Sequence, residues 1–306
     1  MIYTMTLNPA LDYNMTVNEF QRKRVNRSVK EELIPGGKGL MVSRMLKNLG
    51  VDSTAFGLVG GFSGKELTQM VHDLGIHTNF VTLSEGMTRI NVKLWGDIEG
   101  EINAPGPTCD EKSLQALIKK LEVLDSDDTL VLAGSIPKGL PNDLYAKIFE
   151  QLKDRHCNII VDATGELLKS VFRYRPFFVK PNHHELSELY GVELTTREEV
   201  WPYAKRLREE GVKNALISMA GEGAVLAAED GSVWFGEAPA GTVRNSVGAG
   251  DSMVAGFLAG YLSTHSYEEA FRTGIACGSA SAFSEALATG DEVKTVAERV
   301  RIWRVE

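Results

Sequence analysis

The sequence predicts an α/β fold with a mainly parallel sheet covered by helices on both sides. Three observations carry that expectation. Short apolar runs alternate with amphipathic stretches of helical period through most of the chain. The runs are continuously apolar, as strands buried on both faces must be. The 306 residues suffice for one large α/β domain with at most a small appendage.

Taken in order, strands are predicted over residues 2–7, 54–58, 129–133, 158–162, 177–180 and 215–219. Helices are predicted between them, over 39–49, 65–74, 111–124, 142–153, 184–189 and 197–210. The last third reads as helical, over 250–262, 267–286 and 293–301. Two stretches break the rhythm. One is 12–18 with 29–34; the other is 88–102, where Ile90, Val92 and Leu94 alternate, then Ile98 and Ile102 follow a Gly96-Asp97 turn. They read as a small β lid built from two separated segments. In such folds ligands bind beyond the carboxyl ends of the strands, and the polar clusters below all follow a predicted strand or precede a predicted helix.

Composition excludes several classes. Hydrophobic residues make up 43% and charged residues 24%, as in ordinary globular enzymes. No apolar run reaches the length of a membrane span, and the start reads as a strand, so the expected location is the cytoplasm. A net charge of −8 argues against nucleic-acid binding, though a local cation cluster can still hold a phosphorylated substrate. Cys109, Cys157 and Cys277 are far apart and odd in number, which predicts neither a disulfide framework nor a metal cage.

The chemistry concentrates in three places. In Asn245-Ser246-Val247-Gly248-Ala249-Gly250-Asp251-Ser252, two glycines permit a tight turn into an apolar helix. The amides of Gly248, Ala249 and Gly250 would form an anion hole for a transferring phosphoryl group. Asp251 would stand beside it as the acceptor of a hydroxyl proton, with a low pKa from the helix start. An ordinary capped helix start fits the same residues equally well. Pro35-Gly36-Gly37-Lys38-Gly39 opens another helix, where backbone can approach a ligand closely or glycines only mark a turn. Asp12, after the first strand, could accept bonds from sugar hydroxyls, and Arg89 on the lid could pair with a phosphate; a turn aspartate and a solvated arginine are the alternatives. Neither a Walker pattern nor a complete dinucleotide fingerprint is present.

Together these segments resemble the ribokinase-like family of sugar kinases, over essentially the whole chain. The carriers are Asn8-Pro9-Ala10-Leu11-Asp12, Gly36-Gly37-Lys38-Gly39, Thr88-Arg89-Ile90-Asn91, Ala133-Gly134-Ser135-Ile136-Pro137, Val179-Lys180-Pro181-Asn182-x-x-Glu185 and Gly248-Ala249-Gly250-Asp251. The resemblance implies one three-layer α/β/α domain over 1–306, with its lid at about 12–34 and 88–104. The segments 88–93 and 101–107 look most like the branch that phosphorylates fructose 1-phosphate or tagatose 6-phosphate, and the opening 6–10 favours fructose 1-phosphate.

The family's roles carry over residue by residue. Asp251 is the implied base, with Gly248, Ala249 and Gly250 as anion hole. Asp12, Gly36, Gly37, Lys38 and Asn91 are implied for the sugar, and Arg27, Arg89 and Ser135 for its phosphate. Lys180, Asn182 and Glu185 are implied for the phosphates of ATP and for Mg2+, Glu185 reaching the metal through phosphate or water. Ser218, Gly221 and Gly223 are implied to line the nucleotide site. A homodimer through the lid is implied by analogy. Two departures stand out: Met219-Ala220 replaces the family's usual Leu-Gly, and Met41 replaces an asparagine that contacts sugar. Methionine cannot supply that amide's bonds. A tagatose-6-phosphate kinase and a catalytically silent sugar-phosphate sensor are the rival readings; a sensor needs no base.

Overall fold

The computed structural model describes residues 1–97 and 99–306; Ile98, part of the lid alternation, lies outside the described residues. The strands are β1 (Ile2–Thr6), β2 (Ala10–Val17), β3 (Lys30–Gly36), β4 (Ser53–Val59), β5 (His77–Thr78), β6 (Val81–Thr82), β7 (Arg89–Gly96) and β8 (Gly100–Ile102). They continue with β9 (Thr129–Ala133), β10 (Asn158–Asp162), β11 (Phe178–Val179), β12 (Asn214–Ser218), β13 (Ala224–Ala227), β14 (Val233–Gly236) and β15 (Ile302–Arg304). The helices are α1 (Lys38–Asn48), α2 (Gly61–Asp73), α3 (Glu111–Lys120), α4 (Leu144–Leu152), α5 (Gly165–Lys169), α6 (His183–Tyr190), α7 (Arg197–Glu209), α8 (Ala249–Thr264), α9 (Tyr267–Phe283) and α10 (Gly290–Ala297).

The main sheet runs β15-β14-β13-β12-β11-β10-β9-β1-β4-β5, with β6 beside β4. From β5 to β12 every pairing is parallel. One face carries α3 to α7, whose Leu114, Leu117, Ile148, Leu186 and Leu207 are fully or almost fully buried. The other carries α1, α8, α9 and α10, through Val42, Met45, Phe257, Ile275 and Val293. The α/β/α sandwich is thus as expected. Removing each such leucine or isoleucine from water is worth about 1.5–3 kcal/mol.

The three helices expected in the last third are present as α8, α9 and α10, and antiparallel strands that were not expected accompany them. After β12 the chain turns back into β13 and β14, and β15 closes the edge, all three antiparallel. The turn between β13 and β14 holds Asp230-Gly231, where Ala228 N–H donates to the Ser232 carbonyl at 2.9 Å. Helix ends also move. The helix expected over 65–74 begins at Gly61 rather than Lys65 because Ser63 Oγ and Gly60 N–H both bond Thr88 and fix the helix start there. The helix expected over 293–301 instead starts at Gly290, where Thr289 and Glu292 form a capping box.

A second sheet, β3-β2-β7-β8, grows directly from the end of β1. β2 pairs antiparallel with β3 and parallel with β7, placing Asp12 between Ile34 and Asn91. The alternation of side chains gives it two unlike faces. Asp12, Asn14, Thr16, Asn91, Lys93 and Glu101 line a cavity, and the intervening positions are largely apolar.

Candidate active site

The cavity under the second sheet measures about 660 Å³ and brings together Asp12, Gly37, Lys38, Met41, Arg44, Arg89, Asn91 and Asp251. They come from the second sheet and from the starts of α1 and α8. An adjoining cavity of about 760 Å³ shares Gly37, Lys38 and Arg89 and adds Asn8, Gly134 and Ser135.

Asp12 is buried and accepts from Asn91 Nδ2 at 2.8 Å, while Asn91 Oδ1 accepts from Ala104 N–H at 3.1 Å. The opposite strand must leave room for that carboxylate. A Cβ at Gly36 would come within 2.3 Å of Asp12 Oδ2, so only glycine fits there. Arg89 is anchored by two backbone carbonyls, Nε to Asn8 at 3.1 Å and Nη1 to Ala104 at 3.3 Å. Burial lowers its pKa, opposed by Asp12. The rest of its fork remains for an anion in the adjoining cavity.

The turn before α8 is pinned from outside. Arg244 and Asn245 N–H groups donate to the Ala282 carbonyl at 2.8 and 3.2 Å, and Asn245 Oδ1 caps Val247 N–H at 2.9 Å. Gly248 takes φ +80, and a Cβ there would meet Met41 Cε at 2.6 Å. No side chain caps α8; Ala249 N–H donates to the Ser246 carbonyl at 3.2 Å, and the amides of Gly250 and Asp251 keep their capacity for an anion. Two lysines flank them. Lys180 is buried, with Nζ 3.0 Å from where a Cβ of Gly250 would lie. Lys38 Nζ pairs with Asp162 Oδ1 at 3.1 Å.

Asp251 does not have the low pKa that its place at a helix start suggests. Burial first, and the facing Asp162 carboxylate second, push it up to about 8, against the pull of Lys38 and Lys180. Burial and that neighbouring charge outweigh the helix-end field of α8. For Asp162, burial works upward, but Lys180 and Lys38 outweigh it and hold that carboxyl below the usual value.

The other expected residues fall into two groups. Lys180, Asn182 and Glu185 lie along the end of β11 and the start of α6. Asn182 and Glu185 form a capping box, each side chain accepting the other's N–H at 2.8 Å. Burial pulls the Lys38 pKa down, but Asp162 and Asp251, with a smaller push from Glu185, outweigh it and hold the ammonium above its ordinary value. Asn182 bridges to Ser218, and Gly221 and Gly223 follow in a short turn before β13; these lie outside both cavity linings. Arg27 is not brought to the site. It is exposed on the connection between β2 and β3, outside both linings.

Sequence reasoning missed Arg44 and Asp162. Arg44 reaches the cavity from α1, donating from Nη1 to the Pro35 carbonyl at 3.3 Å and to Met41 Sδ at 3.4 Å. Its i+3 spacing from Met41 was the available signal. Asp162 ends β10, and a polar residue at the carboxyl end of a parallel strand was the signal for it.

The model of the family described as pfkB family carbohydrate kinase matches residues 5–293. A 1-phosphofructokinase of Bacillus subtilis is 45% identical over 305 residues, covering 100% of both chains. A D-tagatose-1-phosphate kinase of Bacillus licheniformis is 33% identical over 303 residues, covering 99% of each. Among solved structures, phosphofructokinase-2 from Escherichia coli in complex with substrates and products superposes with a TM-score of 0.92 at 27% identity, covering 97% of this chain and 98% of that one.

Proposed function

This chain belongs to the pfkB family of carbohydrate kinases, and from that membership we propose that it moves the γ-phosphoryl group of ATP to the free primary hydroxyl of fructose 1-phosphate, giving fructose 1,6-bisphosphate. The observation that carries the reading is the single cavity holding Asp12, Lys38, Arg89 and Asp251, which offers a sugar contact, two cations and a base to one small anionic ligand.

Each group has a role that its surroundings support. Asp12, oriented by Asn91, accepts bonds from sugar hydroxyls, with the Gly36-Gly37 backbone close beside it. Arg89, with Ser135 in the adjoining cavity, holds the phosphate the sugar already carries. Asp251 removes the hydroxyl proton. The uncapped start of α8, with Lys38 and Lys180 on either side, suits the transferring phosphoryl group and the nucleotide's charge. Ser218, Gly221 and Gly223 would border the nucleotide.

Among the described residues no cluster of three or more metal-ligating side chains forms a cage. A magnesium ion therefore fits here as a passenger of the ATP phosphates, with Glu185 reaching it through phosphate or water. When bound, it would neutralise charge on the phosphates.

Tagatose 1-phosphate is the second substrate to weigh, because of the name of the Bacillus licheniformis relative and the apolar Met41 in the cavity wall. Among the described residues no helix is long and apolar enough to cross a membrane; a cytoplasmic site of action is proposed because ATP and sugar phosphates are met there. The outer face of the second sheet supports a homodimer through the lid, with Leu33 and Ile102 36% and 65% exposed.

An ADP-release assay across fructose 1-phosphate, tagatose 1-phosphate, fructose 6-phosphate, tagatose 6-phosphate and unphosphorylated sugars tests the reading. Turnover highest on fructose 1-phosphate is expected. Turnover on none of the phosphorylated ketoses would sink it.

A further inference from the structure

We propose that Asn8 is a positioning residue for the phosphate the sugar carries: by fastening the strap Ala104-Pro105-Gly106 it holds Arg89 at a fixed spacing from the Asp12–Asn91 pair. The inference rests on the kinase reading above and concerns a side chain to which that reading gives no role.

Asn8 stands between β1 and β2, is 6% exposed and lines the adjoining cavity. Its Nδ2 donates to the Pro105 carbonyl at 3.0 Å. The other end of the amide has no such bond. Oδ1 is buried without a hydrogen-bond partner, and a Cβ at Gly106, where φ is +84, would lie 2.2 Å from it. Turning the amide over gives no relief, because its oxygen would then stand 3.0 Å from the Pro105 oxygen. A bare buried acceptor is costly, and in native structures it calls for a cause. The cause here is the grip on the strap. Pro105 is itself exposed, so water would satisfy its carbonyl without Asn8. The bond therefore gives position more than it gives stability.

The strap joins the two ends of the substrate site. Ala104 N–H donates to Asn91 Oδ1 at 3.1 Å, and Asn91 Nδ2 donates to Asp12 at 2.8 Å. The Ala104 carbonyl accepts from Arg89 Nη1 at 3.3 Å. The backbone of one residue thus links the carboxylate that faces sugar hydroxyls to the guanidinium that faces phosphate. Asn8 fastens the next residue, and its own carbonyl takes Arg89 Nε at 3.1 Å. A guanidinium held from two sides has little rotamer freedom left to lose when an anion arrives. With the strap unfastened, Arg89 keeps its charge and loses its aim.

The test is a double-mutant cycle between Asn8→Ala and Arg89→Ala, read by titration calorimetry with fructose 1-phosphate. Asn8→Ala should weaken binding roughly tenfold when Arg89 is present and less than about twofold when it is alanine. In steady-state kinetics the same variant should raise KM for the sugar phosphate, with kcat and KM for ATP kept. Gly106→Ala attacks the contact from the strap side and should give the same pattern, and it decides the matter if Asn8→Ala does not fold. Equal losses in both Arg89 backgrounds would assign Asn8 to packing and overturn the proposal, as would undiminished binding. A parent protein that binds fructose 1-phosphate but releases no ADP removes the kinase reading and leaves the cycle to decide the clamp. One that binds no fructose 1-phosphate overturns both.

Discussion

Asn91 and Asp12 face each other across parallel strands of the second sheet, with the amide donating to the carboxylate at 2.8 Å. This bond fixes the carboxylate over Gly36, where it can meet a sugar. Replacing Asn91 by Ala frees Asp12 to rotate and strips a buried bond to a charged group, worth about 1.5–3 kcal/mol. KM for the sugar phosphate should rise roughly tenfold or more with ATP parameters unchanged, measured by steady-state kinetics.

Asp251→Asn should lower kcat by roughly 10²–10⁴-fold, the usual worth of a general base. The same variant carries a stability signature. Asp251 is held above its ordinary 3.8, up to about 8, so the fold prefers its protonated form. That stabilisation is complete below the ordinary value and disappears as pH rises through about 8. Scanning calorimetry should show the parent losing Tm over this interval and the asparagine variant losing less, so that the variant melts higher at the alkaline end.

Arg89→Ala should cost about 1.5–3 kcal/mol in sugar-phosphate binding, seen mainly in KM. Lysine should restore little. Arg89 also grips the Asn8 and Ala104 carbonyls, and a single ammonium cannot hold both and an anion. An unchanged KM in Arg89→Ala would move the phosphate elsewhere.

Met41 lines the cavity, touches Arg44 with its sulfur and sits against Gly248 with its methyl. It reads hydroxyl configuration weakly, so turnover on tagatose 1-phosphate as well as fructose 1-phosphate is expected. Met41→Asn should change the kcat/KM ratio of the two by several-fold, and lower Tm by removing packing on Gly248. An unchanged ratio with a lower Tm would assign Met41 to packing alone.

Much of this was legible in the chain because the parallel strands are unbroken apolar runs, and two of them, Thr129–Ala133 and Asn158–Asp162, begin and end where the pattern does. The antiparallel edge was not, since Ala224–Ala227 is as apolar as a buried helix segment and the Asp230-Gly231 turn was the only mark of a hairpin. The base was visible as a residue, Asp251, but its pKa was not. That depends on Asp162, 89 positions away, and no local pattern announces which strand end will face which helix start.

The order of strands has a consequence for how the protein is made. β1 leaves the ribosome before the other strands of its sheet, yet it lies between β4 and β9 at the middle of that sheet, so one of its edges stays open until residues 129–133 have been synthesised. The wait is longer for the base, because α8 packs beside α1 only after some two hundred intervening residues. Contacts this remote in sequence make for slow assembly. A nascent chain halted before Ala249 would carry Asp12, Lys38 and Arg89 without Asp251, and would depend on chaperones to cover the apolar faces that α8 and α9 normally bury.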